Sequence, residues 1–91
     1  MRSIIQDERS CLICGNPDTE EHHVFFGTAN RRLSEKWGLK VYLCPEHHRG
    51  YRGVHHNRHF DKMLKREAQL IWEEKIGSRN EFIKTFGKSY L

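Results

Sequence analysis

Two short ligand pairs, Cys11-x-x-Cys14 and Cys44-x-x-His47, constrain the fold of this chain more than any other feature of its sequence. Three thiolates and one imidazole at this spacing are an established closed ligand set for a structural zinc ion, which is tetrahedral in proteins. His48 is an alternative fourth ligand, but His47 keeps the usual spacing. One zinc ion would therefore join two distant parts of the chain.

The size of the chain makes such a metal site useful. Its 91 residues suit one domain over 1–91, and a domain this small gains stability from a metal that contributes folding free energy. Three cysteines cannot form a complete set of internal disulfides, which favours a reducing, cytoplasmic compartment. The competing interpretation is three ordinary buried thiols. We find no secretion signal and no apolar run of the roughly 20 residues that span a bilayer.

Hydrophobic periodicity predicts an α+β fold. Residues 22–26 (HHVFF) are rich in strand formers, and residues 39–44 (LKVYLC) alternate as a half-buried strand does. A short helix is expected between the two strands, with Thr28 capping its start and Gly38 ending it. Two strands and an intervening helix are therefore predicted for the first half of the chain.

The second half of the chain is predicted to be helical. Residues 57–76 have the pattern of a long amphipathic helix, and Ser78 and Glu81 have capping-box spacing for a last helix that ends at Gly87. The apolar residues expected to pack from the long helix are Phe60, Met63, Leu64, Ile71 and Trp72. Core positions are also assigned to Trp37, Phe82 and Phe86.

Histidines are concentrated in the middle of the chain. All 7 lie between residues 22 and 59, and with His47 given to zinc the others are His22, His23, His48, His55, His56 and His59. Strand alternation would send His22 and His23 to opposite faces. The surplus predicts a second metal site, with weak metal storage by scattered histidines as the alternative.

The motifs EEHHV and LCPEHH, preceded by the Cys-x-x-Cys pair, resemble the zinc-containing HNH endonucleases, or ββα-metal nucleases. They are most similar to the small phage and prophage proteins of this type, including the RecA-dependent recombination-enhancement nucleases. The resemblance covers residues 11–60, leaving 1–10 as an N-terminal arm and 61–91 as supporting helices. It implies a small zinc-stapled ββα-metal core with a short helix inserted between the strands and one or two C-terminal helices.

The resemblance also implies a function, a metal-dependent DNA endonuclease. It makes His22 and His48 ligands of a catalytic divalent metal and His23 the general base. The third ligand comes from His55, His56 or His59, with His55 preferred. The candidate ions are Mg²⁺, Mn²⁺, Ni²⁺ and Zn²⁺, of which nitrogen ligands favour the last three.

One position departs from the family pattern. The asparagine that orients the base is replaced by Gly38 and Leu39 in this chain. Asn30, Asn57 or a backbone carbonyl are the candidates to take its place. The absent asparagine favours the competing hypothesis, a non-catalytic zinc module that binds DNA or a protein.

Basic residues are concentrated beside the histidines. The chain carries 16 Lys and Arg against 12 Asp and Glu, and residues 49–66 hold much of the surplus. Such a run favours a polyanionic partner over the alternative of a solvated helix face. The residues expected to bind DNA phosphates are Arg49, Arg52, Arg58 and Lys62. Tyr42 and Tyr51 are candidates to stack on sugars, although ordinary packing is the favoured interpretation. A recombinase or another phage or host DNA-processing protein is a further candidate partner, and in that setting the compartment is the bacterial cytosol.

Overall fold

The computed structural model describes residues 1–91 as two strands, four α-helices and one 3₁₀ turn. In chain order these are β1 (Glu20–His23), α1 (Thr28–Trp37), β2 (Lys40–Leu43), α2 (Pro45–His48), the 3₁₀ turn (Val54–His56), α3 (Arg58–Lys75) and α4 (Arg79–Phe86). The two strands form one antiparallel sheet, and α1 is inserted between them. The predicted α+β class is confirmed. None of the helices is long and apolar enough to cross a membrane.

The sheet register sends the adjacent histidines of β1 to different surroundings. His22 lies opposite Val41 and His23 opposite Lys40 in the antiparallel pair. The strand begins earlier than predicted and ends at His23, because Val24 and Phe25 leave it and are fully buried in the core. At this strand end His22 is buried without a hydrogen-bond partner for Nε2, whereas His23 is hydrogen-bonded to Glu35.

Strand β2 is more buried than its alternation predicted. A half-buried strand would expose Lys40 and Tyr42 on its outer face, but only 5% and 6% of their surface is exposed. The N-terminal arm covers the free edge of the strand, since the Tyr42 backbone N–H donates to Gln6 Oε1 at 2.9 Å. Leu12 N–H donates to the Tyr42 carbonyl, also at 2.9 Å. The prediction of a half-buried strand was wrong because the N-terminal arm packs against β2.

The core lies between the sheet and the two C-terminal helices. Helix α3 contributes buried residues spaced four apart, namely Phe60, Leu64, Ala68 and Trp72. Phe25 from the end of β1 packs edge-on to Phe82 of α4, with ring centroids 5.5 Å apart. Trp37 is partly buried against this core, whereas Met63 is 47% exposed and was wrongly placed in it.

Helix ends follow local sequence signals with one exception. Ser78 and Glu81 form the predicted capping box at the start of α4. Gly38 ends α1 with φ 70°, a left-handed conformation that favours glycine. Thr28 does not cap α1, because Gly27 occupies the cap position and Thr28 is the first helical residue.

Candidate metal centres

The four residues of the two ligand pairs meet at one point. Sγ of Cys11 lies 3.6 Å and Sγ of Cys44 3.2 Å from His47 Nδ1, and Sγ of Cys14 lies 3.8 Å from that of Cys44. A tetrahedral zinc ion with Zn–S bonds of about 2.3 Å holds two sulfurs about 3.8 Å apart. These residues could therefore hold a metal ion, and their geometry is compatible with a structural zinc.

The backbone shapes this site locally. Gly15 N–H donates to the Cys11 carbonyl at 2.8 Å, and Gly15 has φ 78°, so the chain turns tightly between the first two thiols. Burial opposes ionisation of Cys11, but backbone N–H groups, including that of Cys44, outweigh it and lower the thiol's pKa to about 6. A lowered pKa favours the thiolate, which is the form that binds zinc.

A second group consists of three imidazoles. Ligand nitrogens of His22, His48 and His55 all lie within 4.8 Å of one another, and Nε2 of His48 and Nε2 of His55 are 3.2 Å apart. Two nitrogens bound to one ion at about 2.1 Å stand about 3 Å apart. The structure therefore brings together the three histidines implied as ligands. The alternatives His56 and His59 are exposed and lie outside the group.

His22 is the most informative member of this group. It is 2% exposed, and its buried Nε2 has no hydrogen-bond partner. Burial, together with the nearby His48 and His55, lowers its pKa to about 3, so the ring is neutral and keeps a lone pair. A buried polar atom left unpaired costs about 1–3 kcal/mol. A metal ion would give Nε2 the partner that the protein does not supply, so this donor set fits one.

Glu20 fixes the tautomer of His48. Nδ1 of His48 donates to Glu20 Oε1 at 2.8 Å, and the other carboxylate oxygen accepts from Arg49 Nη2 at 2.8 Å. The hydrogen bond from His48, followed by the charge of Arg49, lowers the pKa of Glu20, so its carboxylate is an acceptor. With its proton on Nδ1, His48 presents the Nε2 lone pair beside His55. A carboxylate in this position orients an imidazole ligand and raises its basicity.

His23 lies beside the three imidazoles but is held separately. It borders the same small pocket, here called the histidine pocket, as His22, His48 and His55. Its Nε2 donates to Glu35 Oε1 at 2.9 Å. The Met1 ammonium, His23 and Lys40 together lower the pKa of Glu35 to about 2, so Glu35 is ionised and can only accept. Of the two neutral tautomers of His23, this hydrogen bond therefore selects the one with the proton on Nε2 and a lone pair on Nδ1.

A third group, Glu21, His23 and Glu35, also has the spacing of metal ligands. Its cation is already present, because Lys40 Nζ lies 3.2 Å from both Glu21 Oε1 and Glu35 Oε1. Burial disfavours the charged Lys40, but the two carboxylates outweigh that effect and raise its pKa. We therefore assign Lys40 and the Met1 ammonium, which lies 2.8 Å from Glu35 Oε2, and not a metal ion, to the neutralisation of the two carboxylates.

Glu35, and neither of the candidate asparagines, is the hydrogen-bond partner of His23. Asn57 Oδ1 instead accepts from the Phe60 N–H at 3.0 Å and caps α3, and Asn30 makes no hydrogen bond to His23. Sequence reasoning missed Glu20 and Glu35. Glu20 precedes His22 by two residues on a strand, so alternation could have placed both on one face. Glu35 carries no local signal because it lies on a helix 12 residues from His23.

The residues expected to bind phosphates have different surroundings. Arg49 forms an ion pair with Glu20. By contrast, Arg52, Arg58 and Lys62 are exposed and make no ion pair. Arg31 of α1, which was not predicted, borders the histidine pocket. Tyr42 is buried, which agrees with ordinary packing but not with the exposed face that strand alternation implied. Tyr51 is 92% exposed, so ordinary packing was the wrong interpretation for it.

A scan against protein-family models, a search of curated proteins and a search of solved structures each found no match. Two separate groups could hold metal ions, one of three cysteines and His47 and the other of three histidines. They are linked through the chain by the adjacent residues His47 and His48.

Proposed function

We propose that this protein is a metal-dependent DNA endonuclease of the HNH, or ββα-metal, type. The observation that carries the proposal is the buried, unpartnered Nε2 of His22, which lies with His48 and His55 in a pocket that His23 also borders. A zinc module without catalysis needs four ligands, and the two Cys-containing pairs already supply them. The three imidazoles then serve a second purpose.

The order of elements supports this assignment. His22 and His23 lie on the first strand of the hairpin, and His48 lies on the helix that directly follows the second strand. The sequence resemblance implied this arrangement, in which two strands and a helix carry the metal ligands where they meet. The zinc site at the start of α2 would hold that helix, and therefore His48, in place beside β1.

His23 is the proposed general base. Hydrolysis of a phosphodiester requires a group that accepts a proton from the attacking water, and imidazole is the side chain most often used. Glu35 holds the Nε2–H of His23, which leaves Nδ1 to take that proton. His23 is 13% exposed in its side chain, so water can reach it while its ring stays fixed by one hydrogen bond.

The three clustered histidines are the proposed ligands of the catalytic ion. A divalent ion bound there would supply positive charge to the scissile phosphate and the departing 3′ oxygen. Burial holds the pKa of both His22 and His55 below the ordinary value, so both rings are neutral and able to donate a lone pair near neutral pH. An all-nitrogen set favours Mn²⁺, Ni²⁺ or Zn²⁺ over Mg²⁺.

Cleavage of supercoiled plasmid tests the proposal. Protein that retains one equivalent of zinc is freed of other metals and then supplied with Mn²⁺, Ni²⁺ or Mg²⁺. Wild type should nick or linearise the plasmid, and His23→Ala and His22→Ala should not. His59→Ala is the matched control because His59 is an exposed histidine outside both metal groups.

Two results would contradict the proposal. One is a wild-type protein that holds its zinc and binds DNA but cuts it with none of the metals, which would favour the non-catalytic zinc module. The other is His23→Ala cutting as fast as wild type, which would remove His23 from the reaction.

A further inference from the structure

Three hollows adjoin the histidine pocket or one another through shared lining residues. Arg31 and Phe26 border both the pocket and a hollow at the start of α1 that Arg32 also lines. Phe26 also borders a second hollow, which lies along the 3₁₀ turn and is lined by Arg58. Arg58 in turn borders a third hollow, which is lined by Tyr51 and Arg52. We call this surface the basic groove. It is defined by Phe26, Arg31, Arg32, Tyr51, Arg52 and Arg58.

The charges of the basic groove are unbalanced. Its four arginines are exposed, and none makes an ion pair. The carboxylates that border it already have cationic partners. Lys40 and the Met1 ammonium pair with Glu21 and Glu35, and Lys65 Nζ lies 2.9 Å from Asp61 Oδ2. Free positive charge therefore lies on both sides of the histidine pocket, which suits the backbone of a polyanion.

Tyr51 provides an open aromatic surface at one end of the groove. Its side chain makes no hydrogen bond and no ring contact, and the residue is 92% exposed in the loop between α2 and the 3₁₀ turn. Phe26 is the other exposed aromatic residue of the groove, but Lys65 Nζ covers its ring at 4.1 Å from the centroid. Tyr51 is therefore the one aromatic face in the groove that is free to stack.

We propose that the basic groove binds a single-stranded polynucleotide, with phosphates along Arg31, Arg52 and Arg58 and one unpaired base stacked on Tyr51. A base inside a duplex is already stacked on its neighbours and would have to leave the helix to reach Tyr51, whereas every unpaired base has a free face. The inference rests on the proposed function for one point, that the phosphate over the histidine pocket is the one cut. It specifies the substrate as single-stranded DNA or the single-stranded part of a branched DNA.

Binding by the zinc-loaded His23→Ala protein tests this inference without cleavage. Fluorescence anisotropy is measured for labelled oligo-dT of about 15 nucleotides, a length within the range that single-strand-binding domains cover, and for a duplex of the same length. The single strand should bind more tightly. Adding Tyr51→Ala should weaken single-strand binding roughly 5- to 150-fold, as expected for one lost base stack, and leave duplex binding unchanged. Tyr51→Phe should bind as tightly as its parent.

Arginine variants separate the phosphate contacts from the stacking. Arg58→Gln should weaken single-strand binding and reduce the slope of log K against log salt by about 0.7. Arg66→Gln is the matched control, because Arg66 is an exposed, unpaired arginine of the same helix outside the groove. The control should leave both the affinity and the slope unchanged.

The inference is overturned if the duplex binds as tightly as the single strand, or if Tyr51→Ala leaves single-strand binding unchanged. Either result, obtained while wild type still cuts plasmid, would remove the single-strand groove and leave the endonuclease in place. Single-strand binding through Tyr51 by a protein that cuts nothing would support the groove and overturn the endonuclease.

Discussion

The imidazole of His23 and the carboxylate of Glu35 are joined by a 2.9 Å hydrogen bond between β1 and α1. The same carboxylate accepts from Lys40 Nζ at 3.2 Å, and that lysine is almost fully buried. A buried cation thus fixes the carboxylate, and the carboxylate fixes which nitrogen of His23 carries the proton. In its neutral form His23 therefore carries its proton on Nε2 and keeps a lone pair on Nδ1, which is what the proposed general base requires.

Replacing Glu35 should therefore slow the reaction more than it weakens binding. We expect Glu35→Ala to lower kcat by roughly 10- to 100-fold, a part of the 10²- to 10⁴-fold that a general base contributes. KM should not rise, because removing a carboxylate removes no contact to a DNA phosphate. Steady-state cleavage of a labelled oligonucleotide measures both constants.

Two further variants control this prediction. Glu35→Gln keeps an oxygen acceptor for His23 and should lose less activity than Glu35→Ala. Glu74→Gln removes an exposed, unpaired carboxylate of α3 and should have no effect. An equal loss in Glu35→Ala and Glu74→Gln would show that Glu35 does not position the base.

Glu20 should control the affinity of the second metal. Because its carboxylate holds the Nδ1–H of His48, we expect Glu20→Ala to weaken binding of Mn²⁺ or Ni²⁺ by about 10- to 100-fold. Isothermal titration of protein that keeps its zinc measures the Kd. Glu46→Gln, an exposed glutamate beside His47, is the control. Unchanged affinity in Glu20→Ala would mean that this hydrogen bond does not tune the ligand.

His22 should destabilise the folded protein whenever the second ion is absent. His22→Leu removes the unpartnered Nε2 from a buried site, so zinc-containing protein without a second ion should become more stable by about 1–2 kcal/mol. Adding Mn²⁺ or Ni²⁺ should stabilise wild type but not the variant. Thermal unfolding measures both effects. A less stable His22→Leu protein under both conditions would show that the imidazole has a packing role instead.

The thiolate site should determine whether the chain folds. Cys44→Ser removes a 3% exposed ligand that lies 3.2 Å from His47 Nδ1, and the variant should bind no structural zinc. Losing even about 2 kcal/mol lowers the Tm of a domain this small by roughly 10 °C. Zinc content and circular dichroism check the result, with His56→Ala as control. Full helicity in a zinc-free Cys44→Ser protein would contradict a structural role.

Local patterns in the sequence determined much of the framework. Ligand spacing acts over three residues, and the capping box of Ser78 and Glu81 acts over one helical turn, so both can be recognised without the fold. Strand alternation likewise predicted that His22 and His23 would face different surroundings. The geometry of a single strand or turn fixes these relationships, and that geometry depends only on neighbouring residues.

The tertiary structure alone decided which groups complete the site. Glu35 reaches His23 because α1 packs beside β1, and Lys40 is buried because the N-terminal arm covers the edge of β2. Tyr51 stays exposed because no other element covers its loop. Each outcome depends on the burial of surfaces that are remote in sequence. Side-chain periodicity reports which face of an element is apolar, but it does not specify which distant segment will cover that face.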